Sequence, residues 1–336
     1  MTEPSPPPFI SVILPVRNEE QYLERSLGAV LAQDYPSDRY EVIVVDGAST
    51  DGTRSEVERL RGDRRVPGVT LLENPRQITP VSLNLGLDVA KGDYIIRIDG
   101  HCEPAPDYLS RCIELLESTG YECVGGVCET VGETEDARAI AAAQSSRFGV
   151  GNVAFRVHQA EPGITDTVPF GAWPRSVFDR VGRFDEELVR NQDDEFLFRL
   201  AQAGGRVWYD PSIRSQYFSR ASFRSLWRQY HQYGVYKVRV AQKRGGFSSP
   251  RHLVPAAFVV GVTASALLSL RRRQARWFVV TAGTYATANA IAARQVATRS
   301  QVRAPEVSLA FLTLHTSYGL GTLAGLWRWR RHFWRH

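Results

Sequence analysis

Three acidic stretches of this chain carry side chains that could do chemistry together. Asp99-Gly100-His101 follows an apolar strand-forming run and offers a carboxylate and an imidazole from one short loop, with glycine permitting a tight backbone. Two such ligands suit a divalent metal that carries phosphate oxygens. Taken alone, the stretch reads equally as an acidic turn followed by a surface histidine. Asp46 ends a second apolar run, and Arg17 and Glu19 follow a first. Farther on, Asp193, Asp194 and Glu195 head a helix. Dipole and capping effects account for about 0.3–1 kcal/mol per carboxylate there, and three acids are more than a cap needs.

The elements that must position these groups alternate. Residues 9–16, 40–45, 69–72 and 93–98 read as short buried strands, with helices expected after residue 19, over 53–60 and over 79–90. Asp51 is the expected N-cap of the 53–60 helix. Continuous apolar strands separated by helices predict an α/β fold with a mainly parallel sheet covered on both faces. Ligands of such sheets sit beyond the carboxyl ends of the strands, where Arg17, Glu19, Asp46 and Asp99 fall. No Gly-x-Gly-x-x-Gly follows the first strand and no Walker lysine motif is present, which argues against a glycine cradle for phosphates. A nucleotide would then be held through base, ribose and metal contacts. Residues 149–166 read as a mobile loop over the site, and 206–209 as another strand. The Trp-, Tyr- and Arg-rich helix at 222–243 reads as either core or membrane-surface packing.

Charge divides the chain. Residues 251–336 hold 12 Arg and one acid, Glu306, for a net +11, whereas residues 1–250 hold 29 basic and 35 acidic groups, for a net −6. The tail arginines flank apolar runs and form no interleaved basic face, so membrane flanking explains them and nucleic acid does not. Cys102, Cys112, Cys123 and Cys128 have no zinc-ligand spacing. Residues 1–8 read as a flexible lead without the marks of a signal peptide, residues 9–250 as the catalytic domain and 251–336 as a membrane-associated helical region. The catalytic domain is then expected on the cytoplasmic side of a cell membrane.

The stretches Val12-Ile13-Leu14-Pro15-Val16-Arg17-Asn18-Glu19, Val45-Asp46-Gly47-Ala48-Ser49-Thr50-Asp51-Gly52-Thr53, Asp99-Gly100-His101, Phe184-Asp185-Glu186 and Gln192-Asp193-Asp194-Glu195 together resemble glycosyltransferase family 2, with its GT-A (nucleotide-diphospho-sugar transferase) fold, over residues 9–245. The Asp-Gly-His form and the downstream Arg-Gln-Tyr-x-x-Tyr-Gly resemble most the succinoglycan-type glucosyltransferase subgroup, which acts on lipid-linked sugars. The resemblance implies that Pro15, Val16, Arg17, Glu19, Asp46, Asp99 and Gly100 bind the nucleotide-sugar. Asp99 and His101 stand at the family's Asp-x-Asp metal motif, where His101 departs from the usual aspartate and tilts the expected cofactor from Mg²⁺ toward Mn²⁺. Asp193 matches the general base. Gln192 replaces the usual glutamate before it, which leaves Asp194 as the alternative. Arg228 is expected on the diphosphate. The implied reaction is inverting transfer from a UDP-sugar to a lipid-linked saccharide in exopolysaccharide or cell-wall synthesis. Polyprenyl phosphate as acceptor, and a non-catalytic nucleotide-sugar-binding membrane protein, are the alternatives. A Gln-x-x-Arg-Trp motif of processive members is absent.

In the tail, residues 253–270, 277–293 and 307–326 carry no charge. A span takes about 20 residues, so 307–326 is the clearest membrane helix. Three crossings from a cytoplasmic domain would put the 271–276 arginines and the basic terminus outside, against the positive-inside rule. The expectation is that 253–270 is re-entrant or interfacial and that 277–293 and 307–326 cross as a pair.

Overall fold

The computed structural model describes residues 6–62, 67–157, 161–219 and 222–330. The chain divides into two units, Met1–Glu129 with His158–Phe218, and Thr130–Val157 with Ser219–His336. Residues 130–157 and 219–250, expected in the catalytic domain, thus group with the C-terminal helices. Of the expected lead, residues 1–5 lie outside the described residues. The Pro7 and Pro8 carbonyls are tied down, accepting from Arg39 Nε at 2.7 Å and the Tyr35 hydroxyl at 2.6 Å.

In the first unit, β1 (Ile10–Val16), α1 (Glu20–Leu31), β2 (Tyr40–Asp46), α2 (Thr53–Arg61), β3 (Gly68–Glu73), α3 (Thr79–Val89) and β4 (Tyr94–Arg97) alternate as the apolar pattern predicts. All of β1 except Pro15 and all of β2 except Glu41 are buried, so these strands read as nearly unbroken apolar runs. Strands β3, β2, β1 and β4 lie parallel in that order. The register pairs Val16 with Asp46 and Ile13 with Arg97. One sheet edge therefore collects the residues that follow β1, β2 and β4.

Beyond β4 the chain forms β5 (Cys102–Pro104), α4 (Tyr108–Thr119), β6 (Cys123–Val131), α5 (Glu135–Gln144), α6 (Arg147–Val150), β7 (Gly163–Thr165), β8 (Ala172–Pro174), α7 (Ser176–Val181), α8 (Gln192–Gln202) and β9 (Val207–Phe218). Strands β8, β6, β9 and β5 extend the sheet. The β4–β8, β8–β6 and β9–β5 pairs are antiparallel. The strand expected at 206–209 is the beginning of β9. The stretch 149–166, expected as a mobile loop, holds the end of α6 and also β7, which pairs with β9. Residues 158–160 within it lie outside the described residues.

The second unit contains α5, α6, α9 (Phe223–Lys243), α10 (Val254–Arg272), α11 (Arg276–Ser300) and α12 (Ala304–Arg328). Ser222 caps α9 by accepting from the Ser225 amide. Leu226 and Tyr230 of α9 share a core with Ile140 and Ala143 of α5 and with Phe311 and Leu314 of α12. Helix α9 thus supplies core on one face. Among the described residues, α10 is the helix long and apolar enough to cross a membrane. Residues 307–326, expected as the clearest span, bury one face, with Val307, Ala310, Phe311 and Leu314 in the core where α12 meets its neighbours.

Candidate active site

The loops after β1 and β2 are stitched together. Asn18, with φ of 54°, donates its amide to Ser49 Oγ at 2.9 Å and accepts the Thr50 amide on Oδ1 at 2.9 Å. The Glu19 amide donates to Thr53 Oγ1 at 2.8 Å. Helix α2 starts at Thr53 as expected, but Gly52 and not Asp51 stands in the cap position. Asp51 instead accepts the Thr53 amide at 3.1 Å and the Glu20 amide at 3.3 Å. Burial would raise its carboxyl, and a hydrogen bond from the Thr53 hydroxyl at 2.5 Å, with those two amides, more than offsets that and holds it low.

Asp46 is fully buried at the end of β2. Its carboxylate accepts from the Ser49 hydroxyl at 2.5 Å and the Ser49 amide at 3.1 Å, with Arg54 at 3.6 Å. Arg17 reaches across to Gln77, donating to Oε1 at 2.6 Å. Pro15 and Val16 form the last turn of strand beside Val45 and Asp46.

The Asp99-Gly100-His101 loop packs directly on the end of β1. A Cβ at Gly100 would lie 2.9 Å from Val16 Cγ1 and 3.1 Å from Glu19 Cγ, so glycine is what admits the contact. His101 is buried, with Nδ1 2.9 Å from Glu19 Oε1 and its ring edge-on to Tyr217. Both Asp99 oxygens accept from Arg97, Nε to Oδ1 at 2.8 Å and Nη2 to Oδ2 at 3.1 Å. Burial alone would raise the Asp99 carboxyl. The Arg97 charge and hydrogen bonds, with smaller help from His101 and Arg190, overcome it and hold the group below the ordinary carboxylate range.

Arg97 Nη1 also lies 4.0 Å from Asp193 Oδ2. Asp193 sits in the first turn of α8, its side chain 44% exposed, where Asn191 at φ 61° turns the chain into the helix. Aromatic packing sets that helix: the Phe196 ring lies tilted at 4.7 Å from Phe184 and edge-on at 5.8 Å from Trp173, centroid to centroid. Asn84 of α3 donates to the Phe184 carbonyl and to Glu186 Oε1, both at 2.9 Å. The Phe184-Asp185-Glu186 motif is thereby a clamp that locks the approach to α8. The acids of α8 also divide their labour. Glu195 is buried and pairs with Arg199, which donates to the Val181 carbonyl at 2.6 Å and so satisfies the end of α7.

The structure therefore brings Asp99 and Asp193 to one guanidinium, with Gly100 and His101 packed on Glu19 beside them, Arg17 just after β1 and Asp46 at the end of β2. Arg228 belongs to the second unit. It lines a shallow depression on α9 with Arg224, Trp227, His231 and Gln232. Arg97 falls within the run 93–98 that reads as strand and is not among the expected site residues. A charge inside an otherwise apolar strand, two positions before Asp99, was the available signal.

Among the described residues, no group of three or more His, Cys, Asp or Glu side chains is arranged to hold a metal ion. A cation bound through one carboxylate plus substrate phosphates needs no such group. Asp99 keeps lone pairs beyond the two that Arg97 occupies, and its side chain is 19% exposed, so it fits that role. His101, expected as the second ligand, has its Nδ1 on Glu19, a contact compatible with ligation through the other ring nitrogen.

The model of the family described as Glycosyl transferase family 2 matches residues 11–182. The chain belongs to this family. Among its relatives is the succinoglycan biosynthesis protein ExoA of Rhizobium meliloti, 32% identical over 283 residues that cover 82% of each chain. A second is the dolichyl N-acetyl-α-D-glucosaminyl phosphate 3-β-D-2,3-diacetamido-2,3-dideoxy-β-D-glucuronosyltransferase of Methanococcus voltae, 28% identical over 75% of this chain and 79% of that one. The mannosyltransferase PcManGT of Pyrobaculum calidifontis, solved with GDP-Man and Mn²⁺, shares the fold. It aligns with a TM-score of 0.60 at 22% identity, covering 97% of this chain and 91% of that one. The chain is a glycosyltransferase with the GT-A fold.

Proposed function

We propose that this glycosyltransferase is inverting and membrane-bound, moving a sugar from a nucleotide-sugar, a UDP-sugar, to a lipid-linked saccharide in exopolysaccharide or cell-wall glycan synthesis. The observation that carries the reading is the Arg97 guanidinium between Asp99 and Asp193 at the carboxyl end of β4. It fixes one carboxylate for the donor side and presents a second, more exposed one for the acceptor.

In this reading Pro15, Arg17, Glu19 and Asp46 line the base and ribose pocket, and Val16 and Gly100 bind the nucleotide-sugar beside them, with the buried Asp46 carboxylate held by Ser49. Asp99 would hold a divalent cation, Mn²⁺ or Mg²⁺, which supplies neutralisation of the charge building on the leaving diphosphate. The Mn²⁺ of the Pyrobaculum calidifontis mannosyltransferase complex supports this. Asp193 takes the proton of the acceptor hydroxyl as it attacks the anomeric carbon opposite the diphosphate. General-base help of this kind contributes about 10²–10⁴-fold. Asp194, whose amide donates to Asp193 Oδ1 at 2.9 Å, is the alternative base.

The Methanococcus voltae relative, named for a dolichyl-linked sugar phosphate, matches most of the chain and favours a lipid-linked saccharide as acceptor. Polyprenyl phosphate itself is a second reading. It is favoured by an undecaprenyl-phosphate 4-deoxy-4-formamido-L-arabinose transferase of Aeromonas hydrophila, 35% identical over 121 residues. Membrane attachment is supported by α10, which is apolar and buries only Ala256. The test is transfer of labelled sugar from UDP-, GDP- and dTDP-sugars into a lipid extract, with Asp193→Asn as control. Transfer into lipid that disappears with Asp193→Asn supports the reading, and transfer that survives intact removes Asp193 from it.

A further inference from the structure

The exposed large apolar side chains of the described residues are unevenly shared. The first unit exposes Val89 and Ile164, and the rest lie in the second unit, among them Val254 and Leu270 of α10, Val279 and Val280 of α11, and Leu320 and Trp327 of α12. The same unit carries exposed arginines at every turn: Arg271, Arg272, Arg273 and Arg276 between α10 and α11, Arg299 and Arg303 between α11 and α12, and Arg328 at the end of α12. An apolar surface rimmed by guanidinium groups is complementary to an anionic lipid surface.

How the unit meets that surface follows from α9. Helices α9 and α12 run side by side along a glycine seam. A Cβ at Gly321 would lie 2.1 Å from the His231 carbonyl oxygen, one at Gly234 2.3 Å from that of Tyr318, and one at Gly325 2.6 Å from that of Val235. At the far end Gln242 Nε2 donates to the Trp329 carbonyl at 2.9 Å. At the near end Leu226 and Tyr230 share a core with Val307, Phe311 and Leu314. Helix α12 is therefore accompanied for most of its length by a helix that carries Arg228, Lys237, Arg239 and Lys243. The hydrocarbon core is about 30 Å thick, and α12 with 25 residues is about 37 Å long at about 1.5 Å per residue. A crossing by α12 would drag Arg228, which follows Leu226 beside the Phe311–Leu314 core and so lies level with the middle of α12, into hydrocarbon, where ionised side chains are among the costliest groups to place. A crossing by α10 and α11 as a hairpin would carry the four arginines of its tip to the far side, against the positive-inside rule.

We propose that the second unit attaches in the plane of an anionic membrane surface and crosses it nowhere, with α10 and the first half of α11 in the headgroup–acyl boundary and the arginines on lipid phosphates. This rests on the membrane-bound reading above and replaces the expected crossing pair with a one-sided attachment.

Cysteine labelling tests it in the full chain, because Cys102, Cys112, Cys123 and Cys128 are all buried and give little background. Gln274→Cys, Ser300→Cys and Arg330→Cys put one thiol at each exposed turn or end. Each variant is expressed in a bacterial host and exposed to a membrane-impermeant maleimide in inside-out and in right-side-out membrane vesicles. In-plane attachment gives full labelling of all three in inside-out vesicles and none in right-side-out vesicles. A crossing by α10 alone, by α10 and α11, or by all three helices moves Gln274→Cys to the outer face, and a crossing by α11 and α12 moves Ser300→Cys there. Either outcome overturns the proposal, as does a position that labels only after detergent is added. Recovery of the chain in the soluble fraction would overturn the membrane-bound reading itself, and is distinguishable because no vesicle-associated protein would remain to label.

Discussion

Arg97 and Asp99 meet through two parallel hydrogen bonds, and the same guanidinium reaches to within 4.0 Å of Asp193. A charge pair this buried is costly to break from one side, because the partner is left uncompensated, by about 3–5 kcal/mol. Arg97→Ala is therefore expected to lower the melting temperature and abolish transfer together. Arg97→Lys keeps the charge and loses the planar fork. It should fold with a smaller loss of stability while transfer still falls by an order of magnitude or more. Thermal melts beside initial rates separate the two effects, and a fully active Arg97→Lys would show that the fork does not matter.

Asp193 and Asp194 are neighbours on the first turn of α8, yet Asp193 is the one near Arg97. Asp193→Asn should cut kcat by about 10²–10⁴-fold with donor KM little changed, the signature of a lost general base. Asp194→Asn should cost far less. The reverse ranking would move the base to Asp194.

The parallel half of the fold was legible because β1, β2 and β4 are buried over nearly their whole length and its helices follow a regular period. The antiparallel half was less so, since β5 and β8 are three residues each and no periodicity survives at that length. The site was legible where residues stand at strand ends. Arg97 was hidden inside a strand, and the partner of His101 lies 82 positions away at Glu19, a pairing that only the adjacency of β1 and β4 creates. The tail is harder to read for a related reason: one face of 307–326 packs against α9 and α5, and hydropathy does not separate such a face from one that meets lipid.

His101→Ala addresses that pairing. Loss of the imidazole frees Glu19, so donor KM should rise, whereas the cation concentration giving half-maximal rate should stay where it is. A titration of Mn²⁺ and of Mg²⁺ against rate reads this directly, and a marked shift in the cation requirement would return His101 to the metal.

Glu186 titrates low, chiefly because Asn84 donates to it, with burial opposing and Arg76 adding to the effect. A carboxyl whose folded pKa is depressed contributes stability that is complete above its ordinary value of about 4.3 and is lost as pH falls through the folded value. The wild-type chain should therefore lose melting temperature more steeply below about pH 4.3 than Glu186→Gln does. The two should differ most near neutral pH and converge in acid. Parallel lines across that range would mean that the clamp does not depend on the Glu186 charge.

Gly100→Ala probes the loop without touching a polar group. The added methyl meets Val16 and Glu19 at about van der Waals overlap, and crowding of this kind in a packed interior costs about 1–3 kcal/mol. Because the displaced neighbours are the carbon stem of Glu19 and the end of β1, the strain should pass to Asp99 and His101 on either side. Transfer should fall by more than the shift in melting temperature accounts for, with donor KM rising. If melting and rate change only in step, or neither changes, the loop yields without moving its carboxylate, and the close packing of Gly100 on β1 is not what positions Asp99.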